Sequence, residues 1–167
     1  MPTDHDPERA DLIDALRTQR FLFLHTVDGL DDDLARERTT VSELTLGGLV
    51  KHVSAMETQW CDFIEGGPDA LEPDGGTDWL AGFAMTKEET LDGLVEGFHQ
   101  AADRTDALVV SLPDLAASRP LPPAPWFEPG ARRSARRVFT HLLAEIAQHA
   151  GHADILREAH DGQRTTG

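Results

Sequence analysis

The chain has 167 residues, which is enough for one domain with an ordinary hydrophobic core. Its 30 acidic and 15 basic residues give a formal net charge of −15, and so acidic a surface repels phosphate backbones, which excludes nucleic-acid binding as the expected role. The start of the chain lacks the features of a signal peptide, and no stretch is apolar enough to span a membrane, so we expect one cytoplasmic domain over residues 1–167. The single cysteine, Cys61, excludes an intrachain disulfide framework and a cysteine-rich zinc module.

Apolar residues recur at helical spacing in the first part of the chain and predict two long helices. The first runs from Pro7 to about Val27, with Asp6 as its N-cap and Pro7 at its first helical position. The pattern then breaks in a segment rich in aspartate. The second helix begins near Thr45, and its broad apolar stripe continues to Gly66.

Two further helices are predicted in the second half of the chain. Residues 66–85 are rich in glycine and proline, which indicates a connection with one short turn near 79–83. A Thr-Lys-Glu-Glu capping box opens a third helix over 86–111, and a proline-rich connection leads to a fourth helix over 134–160, closed by Gly162. No stretch of useful length alternates as a β-strand does. The sequence therefore predicts an all-α fold, a four-helix bundle whose sites lie between facing helices.

Three histidines on these helices give the best indication of chemistry. His149 and His152 are three residues apart on the predicted fourth helix, so both stand on one side of it, about one turn apart. His52 on the predicted second helix could then complete a three-nitrogen metal site. Three protein ligands with an open position are typical of a catalytic site, and neutral imidazoles suit Zn, Ni, Cu and Fe(II) alike. We therefore expect His52, His149 and His152 to be metal ligands.

The neighbours of the histidine pair favour the same interpretation. On a helical wheel, one polar stripe holds His141, Glu145, Gln148, His149 and His152. A solvent-facing stripe would more often carry Lys and Glu, so this composition favours ligands and the groups that orient them. Glu145 is one turn before His149, where it could orient an imidazole, act as a catalytic base or bind the metal directly. The competing interpretation is a set of ordinary surface side chains near a helix end.

Two features before the fourth helix indicate where a cofactor or substrate could bind. Trp126 lies in the proline-rich connection and could fold over the open end of the bundle as a lid. A cationic cluster follows in an otherwise acidic chain: Arg132, Arg133, Arg136 and Arg137. Guanidinium groups capture carboxylates of small anions, and Arg136 is our candidate for this role beside Trp126. The alternative is a solvated first helical turn.

The segments LGGLVKHVSAMETQW (46–60) and VFTHLLAEIAQHAGHADILREAHDG (138–162) resemble the DinB-like superfamily. The resemblance is specifically to its actinobacterial branch of domains related to mycothiol-dependent S-transferases and maleylpyruvate isomerases. It implies a four-helix bundle of up-down-down-up topology, often dimeric, with a divalent metal held by three histidines that correspond to His52, His149 and His152. Many members space the last two histidines four residues apart, whereas this chain spaces them three apart, which turns their relative direction by about 100 degrees.

The resemblance also implies a function. In related proteins the metal is thought to bind the sulfur of a low-molecular-weight thiol such as mycothiol or bacillithiol, and metal coordination generates the thiolate nucleophile at neutral pH. We therefore expect a homodimeric thiol S-transferase or isomerase that acts on a small electrophile and holds Zn²⁺, or else Ni or Fe. Two alternatives stay open: a non-catalytic, stress-associated metal-binding bundle, and a metal-dependent hydrolase with Glu145 as its base.

Overall fold

Helices make up most of the computed structural model, which describes residues 6–71 and 79–165. The α-helices of these residues are α1 (Pro7–His25), α2 (Asp32–Arg36), α3 (Leu46–Gly66), α4 (Leu91–Ser111) and α5 (Ala135–Asp161). Two 3₁₀ turns, Pro68–Leu71 and Trp79–Phe83, precede α4, and two strands, β1 (Ser118–Pro120) and β2 (Arg132–Ser134), precede α5. The mostly helical composition and the short turn at Trp79–Phe83 agree with the sequence prediction. None of the described helices is long and apolar enough to cross a membrane.

Caps explain where the first and last long helices begin and end. Asp6 accepts a hydrogen bond from the backbone N–H of Glu8, and Pro7 holds the first helical position, which confirms the predicted start of α1. Ser134 caps the start of α5 in the same way. Gly162 ends α5 in the left-handed conformation, with φ 81°, where a residue without a Cβ is favoured.

The helix predicted from residue 86 begins later, at Leu91, and its N-cap is Thr90. The Glu89 carboxylate does accept a hydrogen bond of 2.7 Å from the backbone N–H of Thr86, as the predicted capping box requires. The same carboxylate also pairs with Lys51 on α3, at 2.9 Å. Asp32 also accepts a hydrogen bond of 2.7 Å from the backbone N–H of Leu91. Contacts with residues remote in sequence therefore meet at the start of α4.

The sequence predicts neither α2 nor the β1–β2 pair, whose strands have only three residues each. Helix α2 has only five residues, and Asp31 caps it by accepting from the backbone N–H of Leu34. Strands β1 and β2 are antiparallel, with Ser118 opposite Ser134. Three residues are too few to show an alternating pattern, and pairing depends on a partner that is remote in sequence.

The four long helices share one core. Helix α3 packs against α4 and α5, and α1 packs against α5 and α4. Each of these helices contributes a phenylalanine that is at most 1% exposed: Phe23, Phe63, Phe98 and Phe139. The rings of Phe23 and Phe98 stack with centroids 5.6 Å apart. Because α3 and α5 are in contact, the predicted ligands on these two helices can meet.

The start of α3 lies against the Trp79–Phe83 turn at a glycine. A Cβ added to Gly48 would lie 1.9 Å from the carbonyl oxygen of Phe83, far inside any normal contact. The Phe83 ring also stacks on His52, with centroids 3.8 Å apart. The close approach at Gly48 therefore helps to place an aromatic wall beside a candidate metal ligand.

We expect Gly48→Ala to lower the free energy of unfolding by about 1–3 kcal/mol, because the turn must move away from the new methyl group. The matched control is Gly66→Ala at the end of the same helix, where a Cβ meets nothing within 4 Å. Its stability should stay constant or rise by up to about 1 kcal/mol. Urea unfolding followed by far-UV circular dichroism measures both variants, and a Gly48→Ala protein as stable as the wild type would contradict the close approach.

Candidate metal centre

His52 and His149 lie side by side where α3 meets α5. Their ring centroids are 4.9 Å apart, with the planes at 74°. His149 is only 7% exposed, and His52 is half-buried against the Phe83 ring. The packing of α3 on α5 thus brings together two of the histidines singled out in the sequence.

Glu145 joins these two histidines from one turn earlier on α5. Its Oε2 atom lies 3.7 Å from Nε2 of His149. The ligand atoms of His52, Glu145 and His149 all lie within 4.8 Å of one another, and this is the one group of three such residues that the described residues form. Two imidazoles and a carboxylate are a ligand set that catalytic zinc sites use, with a fourth position left for water or substrate.

His152 lies beside His149 on the same helix, with the two Nδ1 atoms 3.3 Å apart. That distance suits a hydrogen bond, and it also suits two ligands of one ion, since nitrogens about 2.0–2.1 Å from a tetrahedral zinc are about 3.3–3.4 Å apart. An imidazole binds a given ion through one nitrogen only. His149 can therefore bind an ion through Nδ1, together with His152, or through Nε2, together with Glu145. The one of these two neighbours that does not bind the ion then orients the His149 ring.

Burial keeps these imidazoles neutral. Burial, and secondly the neighbouring His149, lowers the pKa of His52 to about 4. Burial, and secondly His152, also lowers the pKa of His149. At neutral pH both rings therefore keep the lone pair that a metal requires. Neutral nitrogen donors with one carboxylate fit Zn²⁺ and other divalent transition metals.

His141 lies one turn before Glu145 on the polar stripe of α5. Its Nδ1 lies 3.9 Å from Oε1 of Glu145, and its ring meets Trp60 edge to face, with centroids 4.9 Å apart. Burial first, and the charge of Arg133 second, lowers the pKa of His141. Gln148, which the sequence placed on the same stripe, is exposed. The stripe therefore extends to His141, while Gln148 faces solvent.

Trp126 and Arg136, the predicted cofactor-binding residues, both lie at the surface. Trp126 is 71% exposed, and its ring contacts Phe127 with centroids 6.2 Å apart. The exposed guanidinium of Arg136 pairs with Glu8 on the first turn of α1. The structure connects neither residue to the histidines, and their part in binding a cofactor stays a prediction.

Arg133, another member of the arginine cluster, lies closer to the candidate metal ligands. The Arg133 guanidinium is half-buried over the Trp60 ring, 4.8 Å from its centroid, and its charge acts on both Glu145 and His141. The sequence did not separate Arg133 from the other arginines. A strand at residues 132–134 would have done so, because neighbouring strand residues point to opposite faces.

A separate cavity of about 440 Å³ lies between α1 and α4. Its lining includes Arg17, Arg20 and Asp106 but none of the candidate metal ligands. Both arginines donate to the Asp106 carboxylate, each at 2.8 Å, so these charges are already paired. The chemistry indicated by the histidines therefore lies elsewhere in the fold.

The family described as Mycothiol-S-transferase matches residues 11–162, a span that contains every candidate metal ligand. The chain belongs to the mycothiol-S-transferase family. This membership confirms the resemblance based on the segments that carry His52 and His149. A crystal structure described as the conserved protein of a locus from Enterococcus faecalis has a similar fold, with a TM-score of 0.68 at 12% identity, covering 91% of this chain and 96% of that one. None of the curated proteins compared with the chain matches it.

Proposed function

We propose that the protein is a metal-dependent S-transferase that joins a mycothiol-type thiol to a small electrophile. The observation that carries the proposal is the convergence of His52, Glu145 and His149 where α3 meets α5, in a chain of the mycothiol-S-transferase family. The proposal includes the four-helix bundle of up-down-down-up topology and the cytoplasmic homodimer expected from the sequence. Zn²⁺ is the metal expected at the centre.

The residues of the centre have distinct tasks in this reaction. His52 and His149 are neutral and offer nitrogen lone pairs, and Phe83 covers one face of His52. A bound divalent ion would lower the pKa of a coordinated thiol, so that the thiolate nucleophile is present at neutral pH. The sulfur then forms a bond to the electrophilic carbon, and the leaving group departs with its electron pair.

The roles of Glu145 and His152 depend on which nitrogen of His149 binds the metal. With His152 as the third ligand, the Glu145 carboxylate lies beside Nε2–H of His149, at 3.7 Å, and is free to take the proton of the incoming thiol. With Glu145 as the third ligand, His152 accepts a hydrogen bond from Nδ1–H of His149, and the thiol proton leaves to water. The second arrangement agrees better with the grouping of Glu145 with His52 and His149.

The position of Glu145 also supports a second candidate function. A carboxylate 3.7 Å from a metal-binding imidazole could deprotonate a bound water, which would make the protein a hydrolase. The two candidates differ in whether a thiol is consumed, so one assay with and without thiol separates them.

The decisive experiment compares four thiols in parallel: mycothiol, bacillithiol, glutathione and coenzyme A. Each is mixed with zinc-loaded protein and 1-chloro-2,4-dinitrobenzene, and formation of the aryl thioether is followed by absorbance. We expect turnover with mycothiol above the uncatalysed rate, loss of turnover after chelation and recovery when Zn²⁺ is returned. Turnover with none of the thiols would overturn the transferase proposal, and thiol-independent cleavage of an activated ester would support the hydrolase.

A further inference from the structure

Arg133 lies over two aromatic rings near the candidate metal centre. Its guanidinium carbon is 4.8 Å from the ring centroid of Trp60 and 5.5 Å from that of Phe127. Trp60 in turn contacts His141 edge to face, and His141 lies beside Glu145. A continuous chain of side-chain contacts therefore joins Arg133 to the metal centre.

The Arg133 guanidinium is half-buried and forms no salt bridge in the described part of the chain, and Glu145 acts on it only through its charge. Its Nη1 atom is buried and donates no hydrogen bond to any described residue. The neighbouring arginines are engaged: Arg132 donates to the Ser118 carbonyl at 2.6 Å, and Arg136 pairs with Glu8. Desolvation of an unpaired guanidinium is unfavourable, and here burial, with Arg137 second, lowers the pKa of Arg133.

A guanidinium held by two cation–π contacts is well prepared to bind a carboxylate. The contacts with Trp60 and Phe127 restrict its orientation, while N–H donors on its free edge form a fork that matches two carboxylate oxygens. Phe127 also lines a cavity of about 530 Å³ whose other lining residues, from 121–125 and 128–130, include four prolines, so apolar surface lies close to the guanidinium. These features suit a small monocarboxylate with an aromatic or aliphatic body.

We propose that Arg133 binds the carboxylate of the electrophilic substrate and so selects small organic acids. That the bound molecule is the electrophile rests on the proposed function. Arg133 is a specificity residue in this scheme. It forms two N–H···O bonds to the carboxylate through Nε and Nη2, since Nη1 is buried. It takes no part in bond making, and Trp60 and Phe127 keep its guanidinium in place. Arg133 contacts Trp60, a neighbour of the metal centre, whereas Arg136 pairs with Glu8 at the surface.

Binding of a non-reactive probe tests the site without relying on turnover. Benzoate is titrated into wild type, Arg133→Gln, Arg133→Lys and the control Arg132→Gln by isothermal calorimetry, with benzamide as the neutral probe. We expect Arg133→Gln to weaken benzoate binding at least about tenfold, Arg133→Lys to fall between, and Arg132→Gln to match wild type. Benzamide affinity should not change in any variant.

The same titrations on zinc-loaded and chelated protein separate Arg133 from the metal as the carboxylate's partner. A loss of benzoate affinity in Arg133→Gln that appears in both forms supports the proposal. Equal benzoate affinity in Arg133→Gln and wild type, an equal loss for benzamide, or no benzoate binding by wild type would overturn it. Far-UV circular dichroism and thermal unfolding confirm that each variant is folded.

A kinetic comparison then assigns the carboxylate to the electrophile or to the thiol. With mycothiol as cosubstrate, 4-chloro-3-nitrobenzoate is compared with its methyl ester. We expect Arg133→Gln to raise KM for the acid about tenfold or more, with the ester and the KM for the thiol unchanged. Equal losses for acid and ester, or a change confined to the thiol, would refute selection of the electrophile. If wild type turns over neither compound, selection of an acidic electrophile is refuted, and benzoate binding alone still decides whether Arg133 holds a carboxylate.

Discussion

His149→Ala should abolish stoichiometric metal binding while the helical content stays as in the wild type. His149 is the imidazole common to both arrangements of the centre, with His152 on one nitrogen and Glu145 on the other. Loss of a partner that merely orients a ligand weakens metal binding about 10–100-fold, so loss of a ligand should weaken it by more. Elemental analysis after zinc loading and desalting gives metal per chain, and far-UV circular dichroism gives helical content.

The matched control is His99→Ala, which removes an exposed histidine of α4 and should leave the metal content unchanged. His149 is 7% exposed, so the alanine variant leaves a cavity, and His149→Gln provides a second variant that fills most of the space. Full metal content in either folded His149 variant would rule out a centre built on His52 and His149.

Two further variants identify the third ligand in the same assay. If Glu145 binds the metal, Glu145→Gln should lose it, whereas His152→Ala should retain it with affinity reduced about 10–100-fold. If His152 binds the metal, the two results exchange. Metal content unaffected by both substitutions would mean that neither residue belongs to the centre.

The sequence predicts the long helices well because each has a strong local signal. Asp6 and Pro7 open α1, Gly162 closes α5, and apolar residues repeat at helical spacing between such caps. The start of α4 is missed because contacts remote in sequence meet there: Lys51 pairs with Glu89, and Asp32 accepts a hydrogen bond from the backbone N–H of Leu91. Local patterns report local preference, whereas this boundary depends on a tertiary contact.

For the candidate site too, spacing along one helix predicts part of the arrangement, and contacts between helices determine the rest. The spacing of residues along α5 places Glu145, His149 and His152 on one side of the helix, and the structure agrees. The meeting of α5 with His52 follows from the contact between α3 and α5, which family resemblance suggested and spacing alone could not fix.

Arg133 was hidden within its cluster because its position depends on the pairing of β1 with β2. The register places Arg119 opposite Arg133, and the guanidinium reaches Trp60 on a helix that ends many residues earlier. Arg136, in the first turn of α5, pairs instead with Glu8 near the other end of the chain. Both contacts join residues remote in sequence. Composition alone could therefore identify the arginine cluster, but not which arginine lies near the metal centre.

A buried ion pair between α1 and α3 should have the largest single effect on stability. Arg20 on α1 is 5% exposed and Glu57 on α3 is fully buried. They form a salt bridge, and Arg20 also donates to Asp106 on α4 at 2.8 Å. Nε of Arg20 and Oε2 of Glu57 are buried without a hydrogen-bond partner among the described residues. The pair therefore links three helices but satisfies its own polar atoms only in part.

Arg20→Met should lower the free energy of unfolding by about 3–5 kcal/mol, because it leaves the Glu57 carboxylate buried and uncompensated. Urea unfolding followed by circular dichroism measures the change. The matched control is Arg104→Met, which removes a half-exposed arginine of α4 that pairs with Asp62 and Glu65 of α3; surface pairs of this kind contribute less than about 1 kcal/mol.

The double variant Arg20→Met with Glu57→Leu separates the stability of the pair from the penalty of breaking it. Replacing both charges with apolar groups removes the uncompensated carboxylate, and such replacements are often neutral or stabilising by about 1–4 kcal/mol. We therefore expect the double variant to regain most of the stability that Arg20→Met loses. A double variant no more stable than Arg20→Met would show that the pair itself stabilises the fold, and an Arg20→Met protein within about 1 kcal/mol of wild type would mean that water already reaches Glu57.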